Sequence, residues 1–140
     1  MVTAAVCPST RGKECVDYLP HRRALELQRD SEANLLLLPD AAGRGKVVPS
    51  GKIFEYLAAE RPILAAVPTD GVAAQLVRET GAGVVVAPED EDGLREALVG
   101  LHARWRAGQL GDGYLSDEQR RRLSRTTRVE ELADLLWKVT

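Results

Sequence analysis

Two cysteines and two histidines in 140 residues leave little material for metal or redox chemistry. Cys7 and Cys15 form no Cys-x-x-Cys pair, and neither histidine stands at ligand spacing from them, so no structural zinc site is expected. Free thiols in a reducing cytoplasm follow as the expected setting, with peripheral attachment to a membrane left open. His21 and His102 lie far apart, at an expected helix start and helix end, where surface roles suffice. No apolar run approaches the ~18 residues needed to span a bilayer. Residues 1–13 lack the apolar run of a signal peptide. Charge of one sign is also missing: the net charge is −2, and no basic face for nucleic acid stands out. The run Arg120-Arg121-Arg122 falls inside a helical pattern and reads as a solvated face.

What is present is a globular composition, 44% apolar and 29% charged. The length suits one domain that buries roughly two-thirds of its unfolded surface. Residues 1–13 carry Pro8, Ser9, Thr10 and Gly12 without periodicity and read as an irregular lead, with at most a short edge strand over 2–6. The domain proper spans residues 14–140.

Periodicity divides that domain. Residues 14–19 alternate weakly and stop at Pro20, as a strand would. A helix is expected over 21–32, with Ala24, Leu25, Leu27 and Gln28 at helical spacing. The leucine run 35–38 is too short for a helix and reads as a strand buried on both faces. A long basic loop over 40–50 follows, without Walker A spacing. Residues 62–67 and 83–87 read as two more core strands. Asp70 is the expected cap of the helix that ends near Gly81. Acids at 89–92 open a helix with Leu94, Leu98, Leu101 and Trp105 in one stripe, and they complement its dipole rather than mark a metal site. A single long helix is expected from 117 to 138.

Strand and helix therefore alternate, which calls for right-handed crossovers and a mainly parallel sheet between helical layers. The expected fold is α/β, a Rossmann-like three-layer domain. Pro39, Pro68 and Pro88 each follow a strand and mark the carboxyl edge, where open α/β sheets bind ligands.

The segment Pro49-Ser50-Gly51-Lys52-Ile53-Phe54-Glu55-Tyr56-Leu57 enters a helix from that edge. Ser50 can cap the helix, and Gly51 permits close approach to the backbone. At 100° per residue, Ile53, Phe54, Leu57 and Ala58 share a core arc, and Lys52, Glu55 and Ala59 lie opposite. By spacing alone, Lys52 and Glu55 are a solvated pair worth about 0.2–0.5 kcal/mol. At a carboxyl edge the same residues suit a nucleotide. The helix start attracts phosphate, and a carboxylate accepts hydrogen bonds from paired hydroxyls.

With its continuation Ala58-Ala59-Glu60-Arg61-Pro62-Ile63-Leu64, this segment resembles the donor-binding segment of retaining glycosyltransferases of the GT-B fold, the group 1 or family 4 type. The likeness covers about residues 14–140. It implies the C-terminal, nucleotide-sugar-binding half of such an enzyme, truncated relative to a full C-terminal domain. It implies that Glu55 holds the ribose hydroxyls, that Ser50, Gly51, Lys52 and Ile53 lie near the diphosphate, and that Leu19 and Pro20 lie near the base. No cofactor and no metal are implied beyond the nucleotide-diphosphate sugar itself. The family's usual Glu-x7-Glu pair would need an acid at Val47, so one member is missing. The family's acceptor domain has no counterpart here, so the chain alone is expected to bind donor and not to transfer. The alternatives are a non-catalytic interaction or regulatory module, with partners such as an N-terminal glycosyltransferase half or a second copy met through apolar surface, and a truncated gene product.

Overall fold

The computed structural model describes residues 18–39, 44–47, 49–111 and 113–139. The expected strand over 2–6 and residues 14–17 of the strand expected over 14–19 lie outside the described residues; Tyr18 and Leu19, the described end of that strand, are irregular, as is Pro20. Three short parallel strands form the sheet: β1 (Asn34–Leu37), β2 (Ile63–Ala66) and β3 (Gly83–Val86), in that order across it. Asn34 pairs with Ile63 and Ile63 with Gly83, and the register runs on to Leu37, Ala66 and Val86. Each expected proline stands two residues beyond its strand, at the carboxyl edge.

Helices lie on both faces of the sheet. On one face Leu36, Ile63, Ala65 and Val67 pack against Ile53 and Leu57 of α3 (Gly51–Ala59) and Ala73, Ala74 and Val77 of α4 (Val72–Thr80). On the other face Leu64 and Val86 pack against Leu94, Ala97 and Leu101 of α5 (Glu91–Arg106). Neighbouring side chains along a strand point to opposite faces, so one strand feeds both cores. The arrangement is α/β and three-layered, with a parallel sheet.

The helix α1 (His21–Asp30) lies beside α3 and ends two residues before the expected boundary. Its C-terminal carbonyls are held from below. Asn34 Nδ2 donates to the Gln28 carbonyl at 3.2 Å, and Arg61 Nε donates to the Arg29 carbonyl at 2.6 Å. These bonds pin the C-terminus of α1 at the amino edge of the sheet, so α1 and α3 both run down from the carboxyl edge.

Several expectations are corrected. The leucine strand is not buried on both faces. It lies at the edge of the described sheet, where α5 does not reach, so Leu36 is buried while Leu35 and Leu37 are 51% and 61% exposed. Within α3 the core arc is narrower than drawn: Ile53 and Leu57 are buried, and Phe54 and Ala58 are exposed. In α5 only Leu101 of the expected stripe is buried; Leu98 and Trp105 face solvent because the helix overhangs a small sheet. Asp70 does not cap α4. Gly71 is the cap residue, and Asp70 is drawn to Lys46 instead.

The last helix is also divided. Ser124 is extended between α6 (Asp117–Leu123) and α7 (Arg125–Val139), and its Oγ accepts the Thr127 N–H at 3.1 Å. A serine that caps a new helix start competes with helix continuation. Ser116 and Gln119 close a reciprocal capping box at the start of α6. Arg120 grips the Glu60 carboxylate with two guanidinium nitrogens, and Gln119 Nε2 reaches the Glu79 carbonyl at 3.1 Å. These contacts strap α6 across the ends of α3 and α4.

Candidate functional site

The carboxyl edge is built by three chain segments. The first is the start of α3, where Ser50 Oγ accepts the Lys52 N–H at 3.3 Å and the Ser50 carbonyl accepts the Ile53 N–H at 3.1 Å. The expected serine cap is therefore present. Among the described residues nothing stands within 4 Å of where a Gly51 Cβ would lie, so none of them closes the helix start. Its dipole favours an anion.

The second is the loop after β1. Instead of plain loop, residues 44–47 form the short helical turn α2 (Arg44–Val47), which lies against the start of α4. A Gly71 side chain would meet the Lys46 Cα at 3.1 Å, which explains a glycine there. Lys46 Nζ donates to Asp70 Oδ2 at 2.8 Å. That bond, with the lysine charge, holds the Asp70 carboxyl below the usual carboxylate range.

The third is α1, which starts at this edge and encloses with α3 a groove of about 370 Å³, lined by Arg22, Leu25, Glu26, Arg29, Glu55, Ala58 and Ala59, that runs down the two helices toward the amino edge. Glu55 enters this groove half-buried, and its Oε2 accepts from Gln28 Nε2 at 3.1 Å. Oε1 has no hydrogen bond among the described residues. Glu55 is thus not the solvated partner of Lys52 that spacing alone would make it. Among the described residues no ion pair joins the two. The next residue, Tyr56, packs against the core, and its hydroxyl is pushed above the usual phenol range by burial first and by the Glu55 charge second.

The seven sequence-derived site residues divide accordingly. Ser50, Gly51 and Lys52 lie together at the helix start, with Lys52 exposed. The Ile53 side chain is fully buried in the core, so only its backbone belongs to the helix start. Glu55 lies in the α1–α3 groove. Leu19 lines a separate shallow groove with Arg23, Glu26, Leu27 and Asp30 on α1, and the Pro20 carbonyl caps α1 by accepting from the Arg23 and Ala24 N–H groups. Glu26 lines both grooves. Gln28 was missed as a site residue. Its signal was a polar side chain on the otherwise apolar inward spacing of α1.

Among the described residues no helix is long and apolar enough to cross a membrane. Comparison with family models, with curated proteins and with solved structures finds no match.

Proposed function

We propose that this domain binds the donor of a glycosyl transfer, a nucleotide-diphosphate sugar, as the C-terminal half of a GT-B glycosyltransferase does. One observation carries the reading. The Glu55 carboxylate is held one turn inside a serine-capped helix that starts at the carboxyl edge of a parallel sheet, with one oxygen free of hydrogen bonds among the described residues. Hydroxyls of a ribose can donate to that carboxylate, while the diphosphate meets the dipole of α3 and the Lys52 ammonium. Lys46 is tied to Asp70 across the same edge and adds a second cation nearby. Base contacts would come from Leu19 and Pro20, at the head of α1. No metal and no cofactor enter this account. Transfer needs an acceptor held against the donor in a near-attack geometry. The reading therefore assigns this chain donor binding, with turnover only when an acceptor-binding domain completes the site.

A thermal-shift titration against uridine, guanosine and adenosine diphosphates and their sugars tests this, because a ligand raises stability by RT ln(1 + [L]/Kd). A midpoint rising with one nucleotide class is the expected result. A flat response to all of them at millimolar concentration rejects donor binding.

A second reading, a non-catalytic interaction module derived from such an enzyme, is favoured by a different observation. Leu35 and Leu37 of the edge strand and Val129, Leu132 and Leu135 of α7 are exposed. Apolar patches larger than a few hundred Å² mark partner surfaces. Light scattering after size exclusion separates the two readings. A monomer that binds nucleotide favours the donor domain, and a stable oligomer that binds none favours the module.

A further inference from the structure

Glu55 is not the only side chain committed to its position. Gln28 reaches across from α1 and donates Nε2 to Glu55 Oε2 at 3.1 Å, and this contact is part-buried. The amide cannot be turned over, because that would set its oxygen against the carboxylate. Its own Oε1 is shielded from solvent and has no hydrogen-bond partner among the described residues. A shielded amide oxygen without a partner is unfavourable, so a leucine at position 28 would serve packing better. What the glutamine supplies, and leucine would not, is the bond to Glu55.

The backbone beneath is also fixed. Asn34, at the start of β1, is buried and holds the Gln28 carbonyl, and Arg61 holds the next carbonyl of α1. The Gln28 side chain therefore starts from a rigid point of the fold. A carboxylate on three rotatable bonds, anchored at one oxygen, presents the other in a defined direction into the α1–α3 groove. Both lone pairs of Oε1 and one of Oε2 then remain for a ligand. That matches the donor pattern of two adjacent hydroxyls.

We infer that Gln28 is a positioning residue that locks Glu55 to receive a vicinal diol, so that the site selects ribonucleotides over 2′-deoxyribonucleotides. The inference rests on the donor-binding reading above. It adds the residue that sets sugar selectivity, which the Glu55 motif by itself does not supply.

The test compares binding of ribo- and 2′-deoxyribonucleoside diphosphates, by calorimetry, to the full chain and to Gln28→Leu and Gln28→Glu. The wild type should prefer the ribo form by about tenfold or more, the loss expected when a site built for a hydroxyl meets an analogue without it. Gln28→Leu should weaken ribonucleotide binding and bring the two affinities within about twofold of each other, with little change for the deoxy form. Gln28→Glu, which keeps the shape but sets two carboxylates together, should weaken ribonucleotide binding further. Loss of packing alone would weaken both nucleotides equally and leave the ratio standing, which overturns the inference. A second measurement needs no ligand. The Gln28 side-chain amide protons should exchange slowly with solvent in the wild type and quickly in Glu55→Ala. Equal exchange in both overturns the inference while leaving donor binding intact. A wild type that binds neither nucleotide overturns both.

Discussion

Gly83 is the position at which one methyl group should do the most damage. It opens β3 directly beside Ile63 of the central strand. A Cβ there would lie 1.8 Å from the Ile63 carbonyl oxygen, 2.6 Å from its carbon and 2.8 Å from its nitrogen. All three are backbone atoms of a strand buried on both faces, so no side chain can turn aside. A comfortable C···O approach is about 3.3 Å, so β2 and β3 would have to part locally by about 1.5 Å. That opens the first rungs of the ladder, including the bond from Ile63 N–H to the Ala82 carbonyl at 2.9 Å. Overpacking costs about 1–3 kcal/mol and each lost hydrogen bond about 1 kcal/mol, so Gly83→Ala should cost about 2–4 kcal/mol. For a chain of this size that lowers the unfolding midpoint by roughly 10 °C. Urea unfolding followed by circular dichroism measures it directly. A loss below about 0.5 kcal/mol, within the range of ordinary surface changes, would refute the close approach of β3 to β2.

Other expectations follow from the same kind of reading. Gly100→Ala is the opposite case: the position lies inside α5, is exposed, and has nothing among the described residues within 4 Å of the new Cβ. It should stabilise the protein by about 0.5–1 kcal/mol in the same urea assay, and destabilisation would contradict it. The Asp70 carboxyl, held down by the hydrogen bond from Lys46, should titrate below the ordinary aspartate range by carbon-detected NMR. Because its folded value is depressed, the contact acts above the unfolded value of about 3.9 and is lost as pH falls through the folded value. Lys46→Met should move the titration back up, and an unmoved curve would break the link between the two loops. The Tyr56 phenol, raised by burial and then by Glu55, should titrate above the usual tyrosine range in ultraviolet difference spectra. Being raised, its neutral form favours folding until pH climbs through the folded value. Glu55→Gln should lower it only in part, since burial is the larger cause.

Much of this layer order was legible in the chain. Proline-ended apolar runs separated by amphipathic stretches give parallel strands with crossover helices, and 62–67 and 83–87 appear where the pattern puts them. The serine cap at position 50 was readable because a helix N-terminus needs a side-chain acceptor, and Ser50 is the local one. The leucine run was misread for a physical reason. Four leucines state that a strand is apolar on both sides, but only the sheet's extent decides whether both sides are covered, and the described sheet ends at β1. The break at Ser124 was hidden because a serine both tolerates helix interiors and caps helix starts. At the candidate site, the place of Glu55 on α3 was legible from the helical spacing, whereas its hydrogen bond to Gln28 was not. The bond between them spans 27 residues and joins two helices whose pairing the linear pattern does not contain. The same holds for Lys46 and Asp70, which meet only once two loops share one edge.

The central claim is that Glu55 receives the hydroxyls of a nucleotide sugar. The most direct measurement is calorimetric titration of the wild type and of Glu55→Ala with the nucleotide-diphosphate sugar that most raises the unfolding midpoint. The account predicts saturable binding to the wild type and at least about tenfold weaker binding to Glu55→Ala, the loss expected for a hydrogen bond to a charged group, with unfolding otherwise little changed. Equal affinity of the two proteins, or no binding by the wild type, would contradict it.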